Sequence, residues 1–147
     1  MQKVRIEKCL KKHYDDMFNL HKDVMPLNDQ MTKHNFYDEF NQKTRQYFVA
    51  LSGDEVVGYI GVFDMIEDYN IIGIAVKKEY QRKKIGSLLL ERIVSIAREN
   101  NVNSLSLEVD SINEKAINFY KNKGFEVTNI RKNYYKNNDA LIMWLYL

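Results

Sequence analysis

Between Asn70 and Ala97 the chain changes its hydrophobic period once, and that switch leaves few folds open. Asn70 to Val76 reads as a nearly continuous apolar strand, the pattern of a strand covered on both sheet faces. A basic turn follows, carrying Lys77, Lys78, Arg82, Lys83 and Lys84. Leu88, Leu89, Ile93, Ile96 and Ala97 then recur at helical spacing, with Glu91, Arg92, Arg98 and Glu99 largely outside that face. Ser104 to Val109 supplies the strand that completes a β-α-β crossover, which requires a parallel pair in the middle of a sheet.

The flanking sequence predicts an α/β (α+β) domain built around that unit. Val4 and Ile6 alternate with Arg5 and Glu7 in a short first strand, and Tyr14, Met17, Phe18, His21 and Val24 or Met25 mark a helix that stops near Pro26. Thr32 caps a second helix that places Phe36 and Phe40 on one face. Tyr47 to Leu51 and Val56 to Val62 form a hairpin through Ser52-Gly53-Asp54-Glu55. After the crossover come a short helix at Asn113 to Asn122, with Gly124 as its left-handed cap, and two closing strands at Phe125 to Ile130 and Ala140 to Leu147. The expectation is a mixed, mostly antiparallel sheet of about seven strands with about four helices.

At 147 residues, with 45% hydrophobic and 29% charged side chains, the chain 1–147 is expected to form one domain with its own core. The formal charge of +2 argues against a dedicated nucleic-acid binder. Cys9 is the only cysteine, which rules out an internal disulfide and fits the reducing cytoplasm. Charges at Lys3, Arg5, Glu7 and Lys8 interrupt any export signal within Met1 to Leu10, and no apolar run approaches the ~20 residues of a membrane-spanning helix. His13, His21 and His34 show no metal-ligand spacing and are expected on helix faces or in solvent, so no metal is expected.

The turn before the long helix is the first place where chemistry is legible. A strand that ends in a turn and opens a helix offers unpartnered backbone N–H groups and a positive dipole end to an anion, with Arg82, Lys83 and Lys84 adding charge. Gly86 lets a phosphate approach without a β-carbon in the way. A solvated basic loop has the same composition. In Ser104 to Val109, alternation puts Ser104, Ser106 and Glu108 on a polar face, which on an interior strand needs water or a ligand beside it.

Gln81 and Gly86 match the outer positions of a Q/R-x-x-G-x-G/A signature, with Lys84 where its first glycine usually lies. The chain thereby resembles the GNAT superfamily of acetyl-CoA-dependent N-acetyltransferases. The likeness continues through Leu107-Glu108-Val109, Asn113, Ala116, Phe119-Tyr120 and Gly124-Phe125. Arg131-Lys132-Asn133-Tyr134-Tyr135 with Asp139-Ala140-Leu141-Ile142-Met143 looks like the C-terminal signature of the bacterial ribosomal-protein alanine N-acetyltransferase type. The proline-tryptophan pair of that group is absent, Pro26-Leu27 standing nearest to it.

The resemblance implies a splay between the two parallel strands that admits the pantetheine arm of acetyl-CoA. It implies that Ile74, Ala75 and Val76 present backbone to the pantetheine and acetyl groups. Arg82, Lys83, Lys84, Ile85, Gly86 and Ser87 would cradle the pyrophosphate, and Asn113 would hydrogen-bond the coenzyme. Glu108 would be the general base and Tyr120 the general acid, with acetyl passing directly to a protein N-terminal α-amine in a ternary complex. Tyr120 on its own reads as a helix aromatic packed beside Ala116; its register after Asn113 and before Gly124-Phe125 is what points to the acid role. Asp64, Glu67 and Asp68 read as a solvated turn or as contacts for an amine, and Tyr134 and Tyr135 as lining of an acceptor groove or hairpin packing. A polyamine or aminoglycoside acceptor and a non-catalytic coenzyme-binding module stay open, as does a monomer or a homodimer; neither nucleic acid nor membrane is an expected partner.

Overall fold

Residues 3–27, 30–135 and 138–147 are described by a computed structural model. Met1, at the head of the stretch read for an export signal, lies outside them. The elements run β1 (Val4–Lys8), α1 (Tyr14–Val24), α2 (Lys33–Glu39), β2 (Arg45–Ser52), β3 (Glu55–Asp64), β4 (Asp68–Val76), α3 (Ile85–Glu99), β5 (Ser104–Asp110), α4 (Glu114–Asn122), β6 (Glu126–Tyr135) and β7 (Asn138–Tyr146). One seven-stranded sheet has the order β1-β2-β3-β4-β5-β7-β6, antiparallel except at β4-β5. Among the described residues no helix is long and apolar enough to cross a membrane.

Period-two alternation in β2 and β3 explains how helices cover both faces. Phe48 and Ala50 join the core under α3 and α4, whereas Tyr47, Val49 and Leu51 join the core under α1 and α2. Thr32 caps α2 through its hydroxyl, which accepts from the Asn35 N–H at 3.1 Å. The β2-β3 hairpin closes through Gly53 at φ 61, a conformation open to glycine at little cost. Gly61 meets a different demand, because a β-carbon there would lie 2.3 Å from the Tyr47 ring that crosses it.

β6 extends five residues beyond the Ile130 expected for it, and almost all of it is exposed. Alternation predicts no such strand, since its polar residues are held only by pairing with β7 at the sheet edge. β4 also departs from expectation: Ile72, Ile74 and Val76 are only half-buried, so this strand is not covered on all sides.

Candidate active site

The opening beside β4 begins where its parallel pairing ends. β4 and β5 pair only at Asp68 with Ser104, Tyr69 with Leu105 and Asn70 with Ser106, and beyond Asn70 the strands diverge. Side chains pin the closed end. The Asp68 carboxylate accepts from the Ser104 and Ser106 hydroxyls at 2.9 and 2.8 Å, and the Asn70 amide donates to Ser106 Oγ at 3.1 Å. This corrects two expectations: the serine face of β5 is satisfied by β4 rather than by water or ligand, and Asp68 is not part of a solvated turn. Glu67 stays in the turn, whereas Asp64 ends β3 opposite Tyr69 and its Oδ1 accepts from the Ile66 N–H of that turn.

Past the pin, β4 turns unpaired backbone toward the gap. The Lys77 N–H donates to Val57 O on β3 at 2.8 Å, and successive residues of a strand face opposite sides. Val76 and Ile74 therefore aim their amides away from β3. The Val76 carbonyl confirms the direction, since it accepts from Gln81 Nε2 at 3.0 Å instead of from a strand.

The turn into α3 has an unusual backbone. Arg82 and Lys84 both adopt φ 64, the left-handed region, at a cost of roughly 1–2 kcal/mol for a residue other than glycine. That conformation explains why the corresponding signature position usually holds glycine. The N–H groups of Ile85, Gly86 and Ser87 at the start of α3 have no acceptor within the helix, and among the described residues no side chain caps them. A β-carbon at Gly86 would meet Phe119 no closer than 3.6 Å, so nothing in the protein itself demands glycine there.

Together these elements wall an open cavity of about 800 Å³, within the range typical of small-molecule sites. Of the residues singled out from sequence, Ile74, Ala75, Val76, Arg82, Lys84, Ile85, Gly86, Ser87, Glu108, Asn113 and Tyr120 all line it. Lys83 does not; its ammonium sits 5.3 Å from the Tyr80 ring centroid. Tyr134 and Tyr135 are also off the wall, packed on each other edge to face. Asn113 caps α4 by accepting from the Ala116 N–H at 3.2 Å. Tyr120 is buried between Phe119 and Phe125, and Gly124 at φ 97 turns the chain behind it. Glu108 Oε1 lies 3.2 Å from Arg131 Nη1, with both side chains partly in solvent.

Sequence reasoning missed the other end of the cavity. Here His21, Met25, Met31, Phe36, Tyr47 and Tyr59 form a largely apolar chamber. His21 lies on the helix face expected for it, buried on α1, and His13 is buried just ahead of that helix rather than in solvent. His21 Nε2 accepts from the Met31 N–H at 2.8 Å, so Nδ1 carries the proton and donates to the Tyr59 hydroxyl at 2.7 Å. Burial holds the His21 pKa below its usual value and pushes the Tyr47 and Tyr59 phenols up. Met17, His21, Phe36 and Phe40 were visible as helix faces, but nothing local marks such a face as a cavity wall. Cys9 lies outside the cavity, and burial pushes its thiol up to about 11, which keeps it protonated and a poor nucleophile.

Comparison with known proteins agrees with this geometry. The model of the acetyltransferase (GNAT) family matches residues 13–125, well over half of the chain. A Bacillus subtilis (strain 168) protein, provisionally named a ribosomal protein bS18-alanine N-acetyltransferase, is 37% identical over 117 residues, 78% of each chain. An N-alpha-acetyltransferase of Sulfurisphaera tokodaii is 30% identical over 122 residues, 74% of this chain and 73% of its own. The crystal structure of the Escherichia coli ribosomal-protein-S18-alanine N-acetyltransferase shares the fold at a TM-score of 0.88 and 23% identity, covering 98% of this chain and 94% of that one.

Proposed function

The chain belongs to the acetyltransferase (GNAT) family and is an N-acetyltransferase; from that premise we propose that it transfers acetyl from acetyl-CoA to the α-amine of a protein N-terminus. The proposed acceptor is of the ribosomal-protein type, as the names of several relatives suggest. The observation that carries this choice is the cavity's charge. Glu108 is the only carboxylate among the described residues that line it, and the far chamber is largely apolar. A polyamine or an aminoglycoside carries several ammonium groups, each needing an anionic partner once desolvated. A peptide terminus brings one ammonium group and a side chain that the chamber can cover.

The coenzyme's demands match the other end. Three helix N–H groups and the left-handed turn at Arg82 and Lys84 suit a diphosphate. The gap past Asn70 suits the pantetheine arm, which Ile74 and Val76 can bind through backbone amides. The space at Gly86 supports the same reading, because a phosphate lying against the backbone would need the room that the protein leaves empty. Asn113 Oδ1 is engaged by Ala116, so its hydrogen bond to the coenzyme would come from Nδ2.

Acetyl-CoA, when bound, supplies the acetyl group as a thioester. Glu108 takes the proton that the α-ammonium must lose before its nitrogen attacks, directly or through a water. Little basicity is needed, because an α-amine of pKa ≈ 7.7–8.0 is already ~10% neutral at pH 7, whereas a lysine at ≈ 10.4 is almost wholly protonated. Tyr120 gives its phenolic proton to the departing sulfur as the carbon–sulfur bond breaks, and the second proton shed by the nitrogen as the amide forms restores the phenol.

Thiol release tests the reading on wild type and Tyr120→Phe with alanine- and serine-initiated peptides and with polyamines. Peptides should release CoA, polyamines should not, and the variant should lose about a hundredfold or more in turnover while holding acetyl-CoA within twofold. Preference for polyamines, or an unimpaired variant, would overturn the acceptor or the acid assignment respectively. Coenzyme binding with no thiol release from any amine would instead support a non-catalytic module.

A further inference from the structure

On the reading that this cavity takes acetyl-CoA, we propose that Lys115 is a further ligand of the coenzyme's diphosphate, held in the free protein on a neutral side chain across the cavity mouth. Lys115 Nζ donates to Gln81 Oε1 at 2.9 Å, joining the start of α4 to the turn that precedes α3. Gln81 is itself fixed at its other end, where Nε2 donates to the Val76 carbonyl. One glutamine thus ties the open end of β4, the diphosphate turn and α4 together, with Lys115 as the exposed partner. Both residues line the cavity.

The charges make this contact exchangeable. Lys77 is paired with Glu55 and Lys132 with Asp139, but the three cations on the cavity wall, Arg82, Lys84 and Lys115, enter no salt bridge among the described residues. The bond to Gln81 carries charge on one partner only, whereas a bond to an ionised phosphate carries it on both and adds Coulomb attraction, so an arriving diphosphate outcompetes Gln81 for the ammonium. Gln81 adjoins Arg82, where the turn begins, which puts the released ammonium beside the diphosphate. Asn118 and Asn122 follow Lys115 at i+3 and i+7 and line the same cavity, so this stripe of α4 is polar toward the ligand. The signature positions Asn113, Ala116, Phe119 and Tyr120 flank Lys115 without including it.

Calorimetry on the full chain tests the assignment with acetyl-CoA, 3′-dephospho-acetyl-CoA and S-acetylpantetheine, which lacks phosphates. Lys115→Ala and Lys115→Gln should weaken both nucleotide thioesters about tenfold, Lys115→Arg should recover most of the loss, and none should alter S-acetylpantetheine binding. Equal weakening of S-acetylpantetheine would make the residue a structural prop. Undiminished acetyl-CoA affinity would remove it from the site, and loss of the effect with the 3′-dephospho compound would overturn the diphosphate assignment. A wild-type chain that binds no acetyl-CoA would fail the functional reading itself, a result distinct from each of these.

Discussion

The two ends of the cavity are made of different material. The end assigned to the coenzyme is mostly backbone: the amides of Ile74 and Val76, the N–H groups of Ile85, Gly86 and Ser87, and a turn shaped by two left-handed residues. The end assigned to the acceptor is mostly side chain, drawn from α1, α2, β2 and β3 and fastened by the His21 bonds to Met31 and Tyr59. Backbone donors accept many side-chain substitutions without losing their ligand. A wall of packed side chains changes its shape with each one.

The contrast breaks most readily at the pin that opens the backbone end. Asp68→Ala leaves the buried hydroxyls of Ser104 and Ser106 without their carboxylate, and we expect a loss of about 3 kcal/mol in urea unfolding together with weaker acetyl-CoA binding. Unchanged stability would mean that backbone pairing alone sets where the strands part.

At the side-chain end, His21→Leu should raise the acceptor peptide KM about tenfold with acetyl-CoA affinity unaltered. Equal effects on both substrates would erase the division between the two ends. The pH dependence has a definite sign. Because burial lowers the His21 pKa in the fold, stability is full above about 6.5 and falls as pH drops toward that depressed value, the unfolded chain binding a proton that the fold refuses. His13 is lowered too and acts in the same direction, so the leucine variant should show a shallower loss rather than none.

The smallest effect is expected at Lys84→Gly. Relief of the left-handed conformation, offset by glycine's greater freedom in the unfolded chain, should leave a gain of about 0.5–1 kcal/mol and a Tm about 2 °C higher. Acetyl-CoA affinity should move less than threefold if the turn binds through its amides. A tenfold fall would place the binding in the lysine side chain and weaken the contrast between the ends.

The same division decided what could be read in advance. The switch from strand to turn to helix, the Thr32 cap, the Gly53 and Gly124 turns and the Gln81 to Gly86 spacing are local patterns, and each lies where its residues predict. The length of β6 was not legible, because its polar residues are strand only through β7. Nor was the role of Ser104 and Ser106, whose partner Asp68 lies 36 and 38 positions earlier.

By itself the sequence determined the elements, their order and the turn that opens α3, since hydrophobic period, capping and backbone conformation act over a few neighbouring residues. Only the tertiary structure decided where β4 parts from β5, that His21 closes a chamber with Tyr59, and that Glu108 is the one carboxylate on the cavity wall among the described residues. Those outcomes rest on contacts between segments far apart in the chain, whose partners are chosen by packing and by the need to satisfy buried polar groups rather than by any local pattern.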